Sequence, residues 1–155
     1  MNVRRILLAS HGTAGARAAD RTVLALCREP GIEVIHLTVV PDLWRGAMGD
    51  DWLNNASTRE QYCRHIESEL GSEIERHRCE LEPEIAARGA RYRAQVMLGG
   101  PTECLIDLAA ETTPDLVVLG SRRPRGTSGL RSSVRVERLL ARVASPLLIV
   151  PHPAP

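Results

Sequence analysis

Residues Asp115–Gly120 read DLVVLG. An acid opens the run, apolar residues fill it, and a glycine closes it. The alternation of apolar and polar residues that marks a strand with one wet face is absent. A short run that is apolar throughout fits a strand buried on both sides, as in a parallel sheet covered by helices. Reading outward, RRILLAS (Arg4–Ser10), EVIHLTVV (Glu33–Val40), YRAQVML (Tyr92–Leu98) and PLLIV (Pro146–Val150) also read as strands. Between them lie helical patterns. Gly15–Cys27 places Ala16, Ala19, Val23, Leu26 and Cys27 at helical spacing, and Pro30-Gly31 ends it. A long polar helix is predicted over Ser57–Glu82, with Ser57 and Glu60 as a capping box and Pro83 breaking or kinking it. GGPTECLIDLAAE turns into a helix with Pro101 near its first position, and Val134–Val143 forms the last one. The order β-α-β-α-β-α-β-α-β predicts a doubly wound, five-stranded parallel sheet with helices on both faces.

The remaining composition narrows the function. The chain has 155 residues, enough for one domain with a real core, and no second domain or internal repeat is visible. Net charge is +1, so no global basic field recruits nucleic acid. All 20 basic residues are arginine, which removes lysine-based phosphate loops and Schiff-base chemistry. Aromatic residues total 3%, too few for a base-stacking platform. No apolar run is long enough to span a membrane, and the N-terminus lacks a full signal-peptide pattern, so a cytoplasmic protein is expected. Pro41–Asn55, with Trp44 and Trp52 among glycines and acids, reads as a loop, and 152–155 as a loose tail.

Ligands of such folds bind beyond the carboxyl ends of the strands, where strand order reverses. Three tips lie there: ASHGT after the first strand, TVVPD after the second and GSRRPRG after the fourth. Elsewhere the bland reading prevails. Cys63, His65, His77 and Cys79 spell C-x-H…H-x-C. Cys63 and His65 are about 200° apart on a helix, and Cys63 and His77 about 21 Å apart along it, so no zinc is expected. Ser10-His11 and Asp50-Asp51 lack a nucleophile elbow, so no catalytic residue is assigned.

ILLASHGT, GGPTECLIDLA, PDLVVLGSR and VERLLARVASPLLIVP resemble, in order and spacing, the universal stress proteins. The resemblance covers Arg4–Pro151 and implies a single domain over 4–151 of the adenine nucleotide alpha hydrolase-like, HUP-type fold, usually a homodimer. Nucleotide-binding members carry G-x2-G-x9-G-[ST] after the fourth strand and an Asp at the tip of the first. Gly120 matches the first glycine. Arg123 and Ser133 stand at the other two, Val134 stands at the Ser/Thr position, and His11 at the Asp. Val39 matches the residue flanking adenine.

The implied nucleotide site is therefore Ala9, Ser10, His11, Val39, Gly120, Ser121, Arg122, Arg123, Gly126, Ser132, Ser133 and Val134. Its glycine chemistry is largely lost. Arginine forks and hydroxyls remain, and these suit phosphate oxygens. Three readings stay open: a non-catalytic stress or signalling module with a degenerate site, a sensor that holds ATP or another anion through Arg and Ser side chains, or an enzyme of the wider superfamily. The motifs of that third class are missing. The resemblance also implies a homodimer through Leu147, Leu148, Ile149 and Val150.

Overall fold

The computed structural model describes residues 1–10, 14–40, 56–121 and 134–153, with side chains for 1–10, 15–39, 71, 72, 74–121 and 134–153. The elements in order are β1 (Arg5–Ala9), α1 (Ala14–Leu26), β2 (Glu33–Val40), α2 (Ala56–Ala87), β3 (Arg91–Leu98), α3 (Pro101–Thr112), β4 (Leu116–Gly120), α4 (Val136–Arg142) and β5 (Leu147–Val150). The five strands form one parallel sheet in the order β3-β2-β1-β4-β5. This is the doubly wound sheet that the alternation of elements predicts.

Strand geometry splits the core in two. On one face Ile6, Leu8, Val34, Leu116 and Val118 pack against Ala19 and Val23 of α1 and Leu81 and Ile85 of α2. On the other, Leu7, Ile35, Leu37, Val117 and Leu119 pack against Leu105 and Leu108 of α3 and Leu139 of α4. Burying each of these Val, Leu and Ile side chains contributes about 1.5–3 kcal/mol. The central strands β1 and β4 feed both faces, which is why DLVVLG shows no alternation.

The long helix differs from expectation. It runs through Pro83 to Ala87 instead of stopping before it. Proline removes one backbone donor from a helix. Here Leu81 and Ile85 flank it, both deep in the first core cluster, and their burial holds the helix together across it. α4 is also shorter than the predicted 134–143, spanning Val136–Arg142.

At the amino edge of the sheet, Asp115 Oδ2 accepts hydrogen bonds from the backbone N–H groups of Arg4 and Arg5 at 2.8 and 2.9 Å. These bonds hold its carboxyl below the usual carboxylate range. A lowered folded-state value means that the unfolded chain binds the proton more readily. The stabilisation is complete above the ordinary carboxylate value of about 4 and is lost as pH falls through the lower folded value. Urea melts of the Asp115→Asn variant should therefore lose less stability than wild type between about pH 5 and pH 2. Parallel losses in the two proteins would remove Asp115 as a source of acid sensitivity.

Candidate functional site

The strand order reverses between β1 and β4, so their carboxyl ends frame the crevice that this fold uses for ligands. Ala9 pairs with Leu119 across β1 and β4 and with Leu37 across β1 and β2. That register sets Ser10 level with Gly120. Ser10 continues the ladder by donating its N–H to the Leu37 carbonyl at 3.2 Å.

The pleat then parts the candidate residues between two faces. Ala9 and Val39 pack on the α3–α4 side beside the second core cluster. Ser10 and Gly120 share the parity of Leu8 and Val118, which belong to the α1–α2 side. Ser10 is wholly buried there, and its Oγ has no hydrogen-bond partner. Gly120 lies against the first turn of α1. A Cβ built on it would sit 2.6 Å from the Gly15 carbonyl oxygen. The first glycine of the phosphate pattern thus has a packing duty of its own.

Ser121 ties together three segments. Its N–H donates to the Val150 carbonyl at 2.8 Å. Its Oγ accepts from the His152 N–H at 2.8 Å. A Cβ on Gly15 would meet His152 Cδ2 at 3.3 Å. The tail expected to be loose from 152 onward is therefore held at its start.

The chain returns to the described structure at Val134, whose side chain is buried in the second core cluster beside Leu139. The next residue, Arg135, donates its N–H to Thr102 Oγ1 at 3.0 Å. Arg138 of α4 pairs with Glu103 of α3 at 3.1 Å. Gly99 at φ +134° makes the sharp entry into α3, a conformation suited to glycine. Cys104 beneath it donates its thiol to the Leu98 carbonyl at 3.7 Å, and burial pushes its pKa up. That thiol is a packing group and no nucleophile at neutral pH.

His11, Arg122, Arg123, Gly126, Ser132 and Ser133 lie outside the described residues, as do Trp44 and Trp52 and the side chains of Cys63 and His65. Among the described residues no group of three or more His, Cys, Asp or Glu is arranged to hold a metal ion. No helix of the described residues is long and apolar enough to cross a membrane. The sequence reading missed Thr102 and His152, which carry no motif. It also missed Asp20, although an acid four residues after Ala16 on the apolar stripe of α1 is a visible signal.

The model of the universal stress protein family matches residues 2–151. Among solved structures, hypothetical protein MJ0577, whose biochemical function was assigned from its structure, is 19% identical with a TM-score of 0.77 and full coverage, 100%, of both chains. Universal stress protein UspA from Lactobacillus plantarum is 14% identical with a TM-score of 0.71, over 97% of this chain and 99% of its own. An Arabidopsis thaliana universal stress protein family protein with AMP bound is 14% identical with a TM-score of 0.61, over 97% of this chain and 92% of its own. No curated relative matches the chain by sequence.

Proposed function

The chain belongs to the universal stress protein family, and from that premise we propose that it is a non-catalytic stress-response or signalling module, cytoplasmic and homodimeric, whose nucleotide site is degenerate. One observation carries the reading. At the motif's Ser/Thr position stands Val134, and its side chain is spent on the core at 7% exposure. It has no hydroxyl to offer a phosphate, and turning it toward one would open a cavity beside Leu139. Arg123 and Ser133 stand where the binding pattern has glycine, so backbone N–H groups lose their close approach to a polyphosphate.

Titration calorimetry with Mg-ATP tests this. The expected dissociation constant is weaker than about 100 μM, less than about 5.5 kcal/mol in magnitude. Low-micromolar binding would overturn the reading.

One finding favours a second reading, a sensor of adenine nucleotide. The Arabidopsis thaliana relative holds AMP on the same fold. In this chain arginine and serine side chains would replace the glycine contacts. Native mass spectrometry separates the two, because a co-purified nucleotide supports only the sensor.

A further inference from the structure

β3 ends the sheet on the side away from β5. It pairs with β2 along its whole length, from Arg91 to Leu98, and among the described residues no strand pairs with its other side. An edge strand of these 8 residues carries a row of backbone donors and acceptors there. Side-chain alternation gives the edge two unlike faces. Tyr92, Ala94, Val96 and Leu98 point to the α1–α2 side, where Tyr92 packs on the first core cluster. Arg91, Arg93, Gln95 and Met97 point to the α3–α4 side, where Met97 packs on the second.

Polar contacts tie the beginning of the strand into the fold. The Tyr92 hydroxyl shares a 2.6 Å hydrogen bond with His36 Nδ1 on β2, and beside them His77 of α2 shares one of 2.7 Å with Asp20 of α1. Beyond Tyr92 the same face opens. Ala94 is exposed, and Val96 and Leu98 stand 50% and 58% exposed, so three successive side chains of that face lie bare and apolar. The other face carries positive charge. Arg91 and Arg93 are exposed, and neither pairs with an acid among the described residues. Glu33, level with Arg91 on β2, is already bonded to Arg5 at 2.9 Å. Charge on an edge strand ordinarily wards off pairing. Here both charges lie before Ala94, and the run from Ala94 to Leu98 has none.

We propose that the outer edge of β3 takes an extended segment of a partner protein, in which apolar side chains alternate with acidic ones, as a further strand of the sheet. Backbone hydrogen bonds hold such a strand, and its alternate side chains give specificity. The segment runs antiparallel to β3, the slightly more stable arrangement and one that needs no crossover. Its apolar side chains cover Ala94, Val96 and Leu98. Its carboxylates stand opposite Arg91 and Arg93, where Cβ atoms of paired strands lie about 4.5–5.5 Å apart and opposite charges attract. Charge selects this partner over a second copy of the chain. β3 contains no acid, so its own copy offers Arg91 and Arg93 nothing. Pairing copies at both β3 and β5 would also string sheets together without end. β2 separates this edge from the β1–β4 crevice, and the proposal does not rest on the reading of the nucleotide site.

A synthetic peptide as long as β3, Val-Thr-Val-Thr-Val-Glu-Thr-Glu, tests the proposal. Paired antiparallel, it sets its valines on the side of Ala94, Val96 and Leu98 and its glutamates opposite Arg93 and Arg91. Titrated into the isotope-labelled full chain, it should shift the backbone amide signals of Arg91–Leu98 with a dissociation constant below about 1 mM. The same peptide with lysine in place of glutamate should bind about tenfold more weakly, and the Arg91→Glu/Arg93→Glu variant should reverse that order. Equal affinity for the two peptides overturns the proposal, as do signals that move elsewhere or not at all. If the double variant does not fold, peptides N-methylated at one or the other set of alternate amides decide on wild type. The set that faces β3 should lose about tenfold in affinity, and equal binding by both sets would mean adhesion without strand addition and sink the idea. Val96→Lys examines the second copy. Its mass by light scattering should equal that of wild type, and a lower mass would give the β3 edge to self-association instead.

Discussion

Gly120→Ala is expected to lower stability by about 2–3 kcal/mol, as inserting a methyl into well-packed structure does. The built Cβ would lie 2.6 and 2.8 Å from the carbonyl oxygen and carbon of Gly15, and 3.2 Å from the nitrogen of Ala16. All three are backbone atoms of the first turn of α1, so no side chain can swing aside. α1 itself is held by Ala19 and Val23, both wholly buried against the sheet. Either the helix start lifts or β4 shifts against its neighbours. Gly71→Ala is the control. It lies inside α2, exposed, with nothing within 4 Å of the new methyl, and should gain about 0.5–1 kcal/mol from helix propensity. Urea midpoints of the two variants should move in opposite directions. A Gly120→Ala midpoint equal to that of wild type would mean that α1 does not press on β4 as described.

Leu148→Lys is expected to convert a dimer into a monomer, on the proposal that β5 is the interface. β5 is the sheet's edge beyond β4 and pairs with it from Leu147 to Val150. Among the described residues no strand pairs with its other side, and an edge strand carries a row of backbone donors and acceptors there. None of its four residues is charged, and all four are half-buried. A two-fold axis would set the strand against its own copy. Leu148 packs on the α1–α2 side and Leu147 on the other, so each face supplies apolar contact to such a pair. A lysine there would bury a charge without a partner, at a cost of several kcal/mol. Light scattering at tens of micromolar should give about 34 kDa for wild type, twice 17.0 kDa, and about 17 kDa for the variant. An unchanged mass in Leu148→Lys would move the interface elsewhere.

Much of the fold was legible because it rests on local pattern. The span of β2 at Glu33–Val40 is read from the apolar run alone, and the uninterrupted DLVVLG places β4 in the interior of a parallel sheet. Pro83 does not end the helix, because the local rule is outweighed by distant packing at Leu81 and Ile85. The candidate site was legible only as a set of strand tips. The reading did not see that Ala9 and Val39 part from Ser10 and Gly120 across the sheet, although side-chain alternation along a strand contains that fact. The polar contacts on the α1–α2 face were out of reach for another reason. Asp20 and His77 stand 57 residues apart, and His36 and Tyr92 56 apart. No spacing rule joins such pairs until α1, α2, β2 and β3 are stacked.

The hydrogen bond from the His152 N–H to Ser121 Oγ has a practical side. It moors the last described residues of the chain to the rim where β4 ends. An affinity handle or fluorescent fusion attached after Pro155 would tug on the same rim whose ligand binding is to be measured. Met1 stands 88% exposed, ahead of β1 at the opposite rim of the sheet. A handle placed there leaves the mooring slack, and surface-immobilised protein held by that end presents its crevice to the solution.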